Sequence, residues 1–325
     1  MKILELHKDR LDDFVKAVTE TYEFIAPVKT DETRFQAITS ADQINLEEQP
    51  MYPLKRYFFT DKEILFKYNG KDIEVPEIEV PRRIFFGVRH CDLNAIKHQD
   101  MVFLDANIDP YYKARREKAL FIGYHCDIAP HKFCFCNSLK LDDYSDMMFY
   151  DKGKKFIVEV QTQKGMNFVK HFHEFFLETN YKFSDNDKKI KNFKELKKPA
   201  DLNEHYEDEK WEKGVKKCVS CAACTMLCPT CYCSGISDEA DWDLKKMQRV
   251  RTHASCQLPS FTKVAGGHVF RKSRSDRFKH RIYHQLQWFK ERHGVDLCVG
   301  CGRCITGCPT KIDFVDIINE LEGEK

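Results

Sequence analysis

At 325 residues, with 53 Lys and Arg against 51 Asp and Glu, the chain is long enough for two domains with cores of their own. Its balanced charge excludes a global field directed at nucleic acid or an anionic membrane, and no stretch reaches the ~18–20 apolar residues of a membrane span. The opening "MKILELHKDRLDDF" is too charged for a secretory signal, so the expected compartment is the cytoplasm.

Residues 10–24 place Leu11, Phe14, Val15, Val18 and Tyr22 at helical spacing, which predicts a helix with one buried face. "EILFKY", "RRIFFGVR", "KALFIGYH" and "KFIVEVQ" are short, apolar and aromatic, as strands are. A further helix is predicted over 166–177, with Phe168, Val169, Phe172 and Phe176 on one side. Residues 1–181 are therefore expected to form an α/β (or α+β) domain. From 182 to 210 the chain is dominated by Lys, Asp, Glu and Asn, as a charged surface linker would be. Residues 211–325 are expected to form a mainly α-helical domain, in which "DRFKHRIYHQLQWFKERHG" is an amphipathic helix stopped by Gly. The basic stretch "RKSRSDRFKHR" before it reads as a solvated helix start or a docking surface.

The chain holds 15 cysteines. Their odd number and their clustering in a signal-less chain argue against a disulfide framework and for thiolate ligands. Eight fall in two runs of the form C-x2-C-x2-C-x3-C-P: Cys218, Cys221, Cys224, Cys228 and Cys298, Cys301, Cys304, Cys308. Three thiolates at this spacing wrap three corners of an iron–sulfur cube from one loop, and in two-cluster ferredoxins the fourth cysteine ligates the other cube. The expected sets are thus Cys218, Cys221, Cys224 and Cys308 for one [4Fe–4S] cluster, and Cys298, Cys301, Cys304 and Cys228 for the other. Structural zinc pairs two C-x-x-C knuckles and has no use for a third cysteine in each or for the trailing Cys-Pro. The 69 residues between Cys228 and Cys298 suit an α-helical ferredoxin-like module carrying both clusters.

Cys91 and Cys126 each follow a predicted strand, and seven residues separate Cys126 from the C-x-C of Cys134 and Cys136. Four such cysteines at adjacent loop ends make a third tetrathiolate site, for iron–sulfur or zinc; the other reading is buried apolar packing. Cys231, Cys233 and Cys256 either adjoin the first cluster or bind a further one with a fourth ligand such as His268 in "VAGGHVFR".

"PYYKARREKALFIGYHC", "FCFCNS", "CTMLCPTCYC", "VAGGHVFR" and "CVGCGRC" together resemble the iron–sulfur (beta) subunit of cytoplasmic NAD(P)-linked [NiFe] hydrogenases, the sulfhydrogenases, a family that includes the corresponding iron–sulfur subunit of anaerobic sulfite reductase. The resemblance covers nearly the whole chain, the Lys-rich stretch 184–210 excepted. It implies a relay of single electrons between a partner that holds FAD and a [2Fe–2S] centre and exchanges hydride with NAD(P)H, and a catalytic subunit of [NiFe] hydrogenase or sirohaem type. It also implies that Cys91, Cys126, Cys134 and Cys136 hold a third [4Fe–4S] cluster.

The residues agree on one negative point. There is no G-x-G-x-x-G after a strand, no Walker loop and no C-x-x-C-H, so the chain is expected to lack a nicotinamide, nucleotide or covalent haem site of its own and to have no catalytic residue. Two other readings are a self-contained iron–sulfur oxidoreductase, with substrate at an extra cluster, and a metal-stapled binding module.

Overall fold

Strand Arg83–Val88 runs straight into helix His90–Phe103, and strand Ala119–Tyr124 follows helix Pro110–Glu117. This strand–helix alternation builds a parallel sheet, because a parallel neighbour is reached only through a crossover. In the computed structural model, which describes residues 2–322, the sheet has eight strands. Their order is Leu177–Glu178, Lys2–His7, Lys155–Val160, Met147–Asp151, Ala119–Tyr124, Arg83–Val88, Glu23–Lys29 and Thr33–Ala37. The four strands from Met147–Asp151 to Glu23–Lys29 are parallel, and the outer pairings are antiparallel. The central strands are buried on both faces, as a near-continuous apolar run such as "RIFFGV" requires.

One face is covered by helices Leu11–Thr19 and Gln163–His171. Phe14 is fully buried there and meets Phe24, Phe168, Phe172, Phe175 and Phe176 edge-on at 5.6–6.4 Å. Such edge contacts are favourable beyond the area they bury. The helix expected over 166–177 is thus found at Gln163–His171, followed by a single 3₁₀ turn, His173–Phe175.

The chain divides into two compact units that are not contiguous in sequence. The first is Met1–Leu54, Val80–Glu195 and Val299–Cys301; the second is Lys55–Glu79, Leu196–Cys298 and Gly302–Lys325. The outermost residues of the two expected domains, 1 and 323–325, lie outside the described residues. Strand Lys62–Tyr68, the "EILFKY" segment, belongs to the second unit, where it pairs with Met247–His253. With Ser234–Ala240 and Ile73–Glu74 these form a four-stranded antiparallel sheet. The C-terminal part, expected to be mainly helical, thus carries strands beside its helices: the polar hairpin "SGISDEA…MQRVRTH" finds its ladder partner far away in sequence.

The charged stretch from 182 to 210 makes specific contacts. Lys152 bonds Asp187 at 2.7 Å, Lys188 bonds Glu159 at 2.8 Å, and the Lys194 N–H donates to the Cys134 carbonyl at 2.6 Å. Among the described residues no helix is long and apolar enough to cross a membrane.

Candidate metal centres

The two cysteine runs have one backbone shape. Ser220 and Ala222 in the first run, and Gly300 and Gly302 in the second, all have left-handed φ, from 52° to 70°. Alternating left- and right-handed residues turn successive N–H groups inward, into a cup that suits an anion. At Ser220 and Ala222 a side chain is held where it costs about 1–2 kcal/mol, which marks the loop shape as a requirement. A one-turn helix follows each loop, Ala223–Met226 and Arg303–Thr306. Gly307 lets the two approach, since a Cβ there would collide with Leu227. The trailing Cys-Pro-Thr segments also match: Thr230 Oγ1 lies 3.2 Å from Cys228 Sγ, and Thr310 Oγ1 lies 3.5 Å from Cys308 Sγ. The Ile312 N–H donates to Cys308 Sγ as well. Burial raises the Cys308 thiol, but these hydrogen bonds outweigh it and hold the thiol below its ordinary value.

A buried lysine, a part-buried arginine and one amide stand among these thiols. Helix Arg274–Tyr283 is capped by Ser273, whose Oγ accepts from the Asp276 N–H. It continues through a π-turn, His284–Trp288, and Phe289–His293 to a left-handed Gly294. Arg281 on this helix donates from Nη2 to the Cys224 carbonyl at 3.2 Å, and its buried Nε has no partner among the described residues. Burial opposes the guanidinium charge, yet thiolates at Cys231, Cys228, Cys224 and Cys304 outweigh it and hold the pKa above its ordinary value. Lys55 is 3 % exposed and donates to the Thr225 and Cys231 carbonyls, each at 3.1 Å. Burial pushes its pKa down, against the pull of Cys231 and Cys228. Cys224 is pushed up to about 11 by burial, with Arg281 pulling the other way.

Gln285 lies in the π-turn, a distortion that often marks a functional position. Its Oε1 accepts from Thr230 Oγ1 at 3.0 Å and lies 3.9 Å from Cys228 Sγ, while its backbone carbonyl accepts from the Cys298 N–H at 2.9 Å. Cys228 of the first run and Cys298 of the second are thus organised by a single residue. A cup of N–H groups, sulfur hydrogen bonds and enclosed cations is the surrounding that a cluster of net negative charge requires, because a buried charge must be paired.

In the first unit, Cys91 is the second residue of helix His90–Phe103, and Cys126 lies two residues beyond strand Ala119–Tyr124. Their strands are parallel neighbours, so both thiols emerge at the carboxyl edge of one sheet, where open α/β sheets hold ligands. Arg89 Nη1 donates to Cys126 Sγ at 3.0 Å, and Gln49 Nε2 to Cys91 Sγ at 3.5 Å. His131 Nε2 lies 3.5 Å from Cys134 Sγ and 2.9 Å from Gln49 Oε1. Cys136 is pushed up to about 12, first by burial and then by Cys126, Cys134 and Cys301. The four N-terminal cysteines are therefore neighbours, and they share a wall with Val299 and Cys301 of the same unit. Cys91, Ala95, Val299 and Cys301 form one buried cluster against Cys136 and Leu141. The Phe135 N–H donates to the Gly300 carbonyl at 2.8 Å, and a Cβ on Gly300 would overlap the Cys136 backbone.

The remaining cysteines adjoin these thiols. Cys231 contacts Cys228, Cys233 contacts Cys256, and Arg281 faces all four. His268 is not brought to them; it is exposed on a turn, with its ring 4.8 Å from that of Phe270. Among the described residues no three His, Cys, Asp or Glu side chains close around a position for one metal ion; a cube, with one iron to each thiolate, spaces its ligands more widely. Sequence reasoning missed Arg281, Lys55, Gln285, Arg89 and Gln49. It also read the basic stretch as solvated or docking, whereas Arg277 and Lys279 are buried with Arg271, Lys272, Gln257 and Tyr206 carbonyls as acceptors.

Residues 217–312 match the family model of the 4Fe-4S dicluster domain. The chain is 33% identical over 344 residues to "Sulfhydrogenase 2 subunit beta" of Pyrococcus furiosus, across 99% of this chain and 98% of that protein. No solved structure matches it.

Proposed function

The chain belongs to the family of sulfhydrogenase beta subunits, and from that premise we propose that it is the relay of a cytoplasmic oxidoreductase complex, carrying single electrons between an FAD- and [2Fe–2S]-bearing subunit that exchanges hydride with NAD(P)H and a catalytic subunit of [NiFe] hydrogenase or sirohaem type. Iron–sulfur electron transfer is its own part in that complex. A bound [4Fe–4S] cluster supplies one-electron transfer at a potential set by sulfur hydrogen bonds, local charge and burial.

We assign Cys218, Cys221, Cys224 and Cys308 to one cluster, Cys298, Cys301, Cys304 and Cys228 to the second, and Cys91, Cys126, Cys134 and Cys136 to a third. The observation that carries the relay reading is the junction at Gly300, where the C-x-C loop of the third set lies backbone to backbone against the second run. Short separation between redox sites is what a relay needs, and the glycine at 300 permits this backbone contact. Phe135 at 1 % exposure, Val299 at 2 % and Cys134 at 3 % exclude water from the junction. Arg89 and Gln49 donate to two of the sulfurs, and such hydrogen bonds are among the groups that set a cluster's potential.

The test is reduction by NADH or NADPH under anaerobic conditions, followed by the visible absorbance of the iron–sulfur chromophore. The chain alone is expected to stay oxidised, and to bleach once the flavin-bearing partner is added. Bleaching of the chain alone would contradict the relay and support a self-contained oxidoreductase.

A further inference from the structure

The two matched loops are covered to very different degrees. Val299 is 2 % exposed and its counterpart Val219 is 60 % exposed; Cys301 is buried, whereas its counterpart Cys221 is exposed. The second loop owes its cover to the Phe135–Cys136 segment, which belongs to another cysteine set. No such segment lies over the first loop among the described residues. Its rim is apolar at Val219 and Met226, the latter 44 % exposed, and basic at the exposed Lys216 and Lys217. The stretch from 216 to 230 contains no Asp or Glu.

We propose that the first cysteine loop, at Val219, Cys221 and Met226, is the docking surface for a separate redox protein, which brings its own cofactor over this loop from an acidic-rimmed, apolar-centred face. The inference rests on the relay reading. Internal symmetry names the kind of partner: the twin loop is covered by a segment of a second cysteine set, and a relay must pass its electrons outward where its own chain supplies no such cover. An exposed apolar centre with a charged rim is the usual anatomy of a specific interface, and the two rim lysines select an acidic partner and steer its approach. At the second loop this role is filled from within the chain. At the first it is left to another protein.

The test compares the tagged full-length chain with its Val219→Asp variant, each purified anaerobically from the native host. Co-purifying proteins are assayed for flavin and iron, and iron per chain is measured in both preparations. Wild type is expected to bring down a flavin- or iron–sulfur-bearing partner, and Val219→Asp to bring down at least tenfold less of it at unchanged iron per chain. Replacing Lys216 and Lys217 by Glu is expected to weaken capture most at low salt, where surface charges are least screened. If Val219→Asp itself loses iron, Met226→Asp is read by the same criteria. Full retention of the partner by a variant with intact iron overturns the docking surface and leaves the relay standing. Capture of a second copy of this chain alone, reduced by the variant, also overturns it. If wild type captures no cofactor-bearing partner, the relay reading falls, and the docking surface falls with it.

Discussion

Cys228→Ala is expected to remove about four irons per chain and to abolish the EPR signal of the cluster assigned to Cys298, Cys301 and Cys304, while the signal of the first-run set persists. Proximity in sequence suggests the opposite outcome. The geometry around Gln285 favours the crossed assignment, because the residue whose side chain meets Cys228 and Thr230 also holds the Cys298 N–H on its carbonyl. Arg281 likewise faces Cys228 and Cys304 together. Cys224 has Cys218, Cys228 and Cys221 among its neighbours, and as a ligand of the first-run set its replacement, Cys224→Ala, is expected to produce the reciprocal loss. Cluster-specific EPR, read beside iron per chain, distinguishes the two. Loss of the first-run signal alone in Cys228→Ala contradicts the crossed assignment.

Arg281→Met is expected to lower the midpoint potentials of both clusters. Reduction adds a negative charge, which a nearby fixed cation stabilises, so removing the cation makes reduction harder. A unit charge roughly 6 Å from the added electron is worth about 3 kcal/mol at an effective dielectric of about 20. For one electron that is roughly 120 mV. Lys55, enclosed nearby, retains part of the positive field, so a fall of roughly 50–120 mV is the expected range. Arg281→Lys keeps the charge and is expected to recover most of it. Potentiometric titration followed by EPR measures the shift. A residue with a purely structural role would change iron content and leave the potentials where they were; unchanged potentials in a fully loaded Arg281→Met variant would contradict the electrostatic role.

The parts legible in the sequence were those encoded over short distances. The two C-x2-C-x2-C-x3-C-P runs fix their own loop shape, and their pattern is readable because ligands, left-handed turns and proline all fall within eleven or twelve residues. Strands Arg83–Val88 and Ala119–Tyr124 were readable as apolar runs, and with them the prospect of Cys91 and Cys126 at one sheet edge. What escaped was long-range. Strand Lys62–Tyr68 looks like any other strand, and nothing local says that its partner begins at Met247. The hairpin Ser234–Ala240 with Met247–His253 is too polar and too poor in β-branched residues to announce itself. Arg277, Arg281 and Gln285 follow one another at helical spacing, so they form a polar stripe that hydropathy cannot tell from a solvated face. In the fold that stripe is turned inward, to carbonyls and thiols. The ion pairs that the charged stretch after residue 181 makes to Lys152 and Glu159 are likewise long-range.

Conduction through three [4Fe–4S] clusters is checked by elemental analysis of anaerobically purified chain. Iron, zinc and acid-labile sulfide are measured per chain on one preparation. The account predicts about twelve irons and about twelve sulfides, with no zinc. About eight irons with one zinc per chain would contradict it, leaving a two-cluster conductor whose N-terminal thiols serve a structural metal.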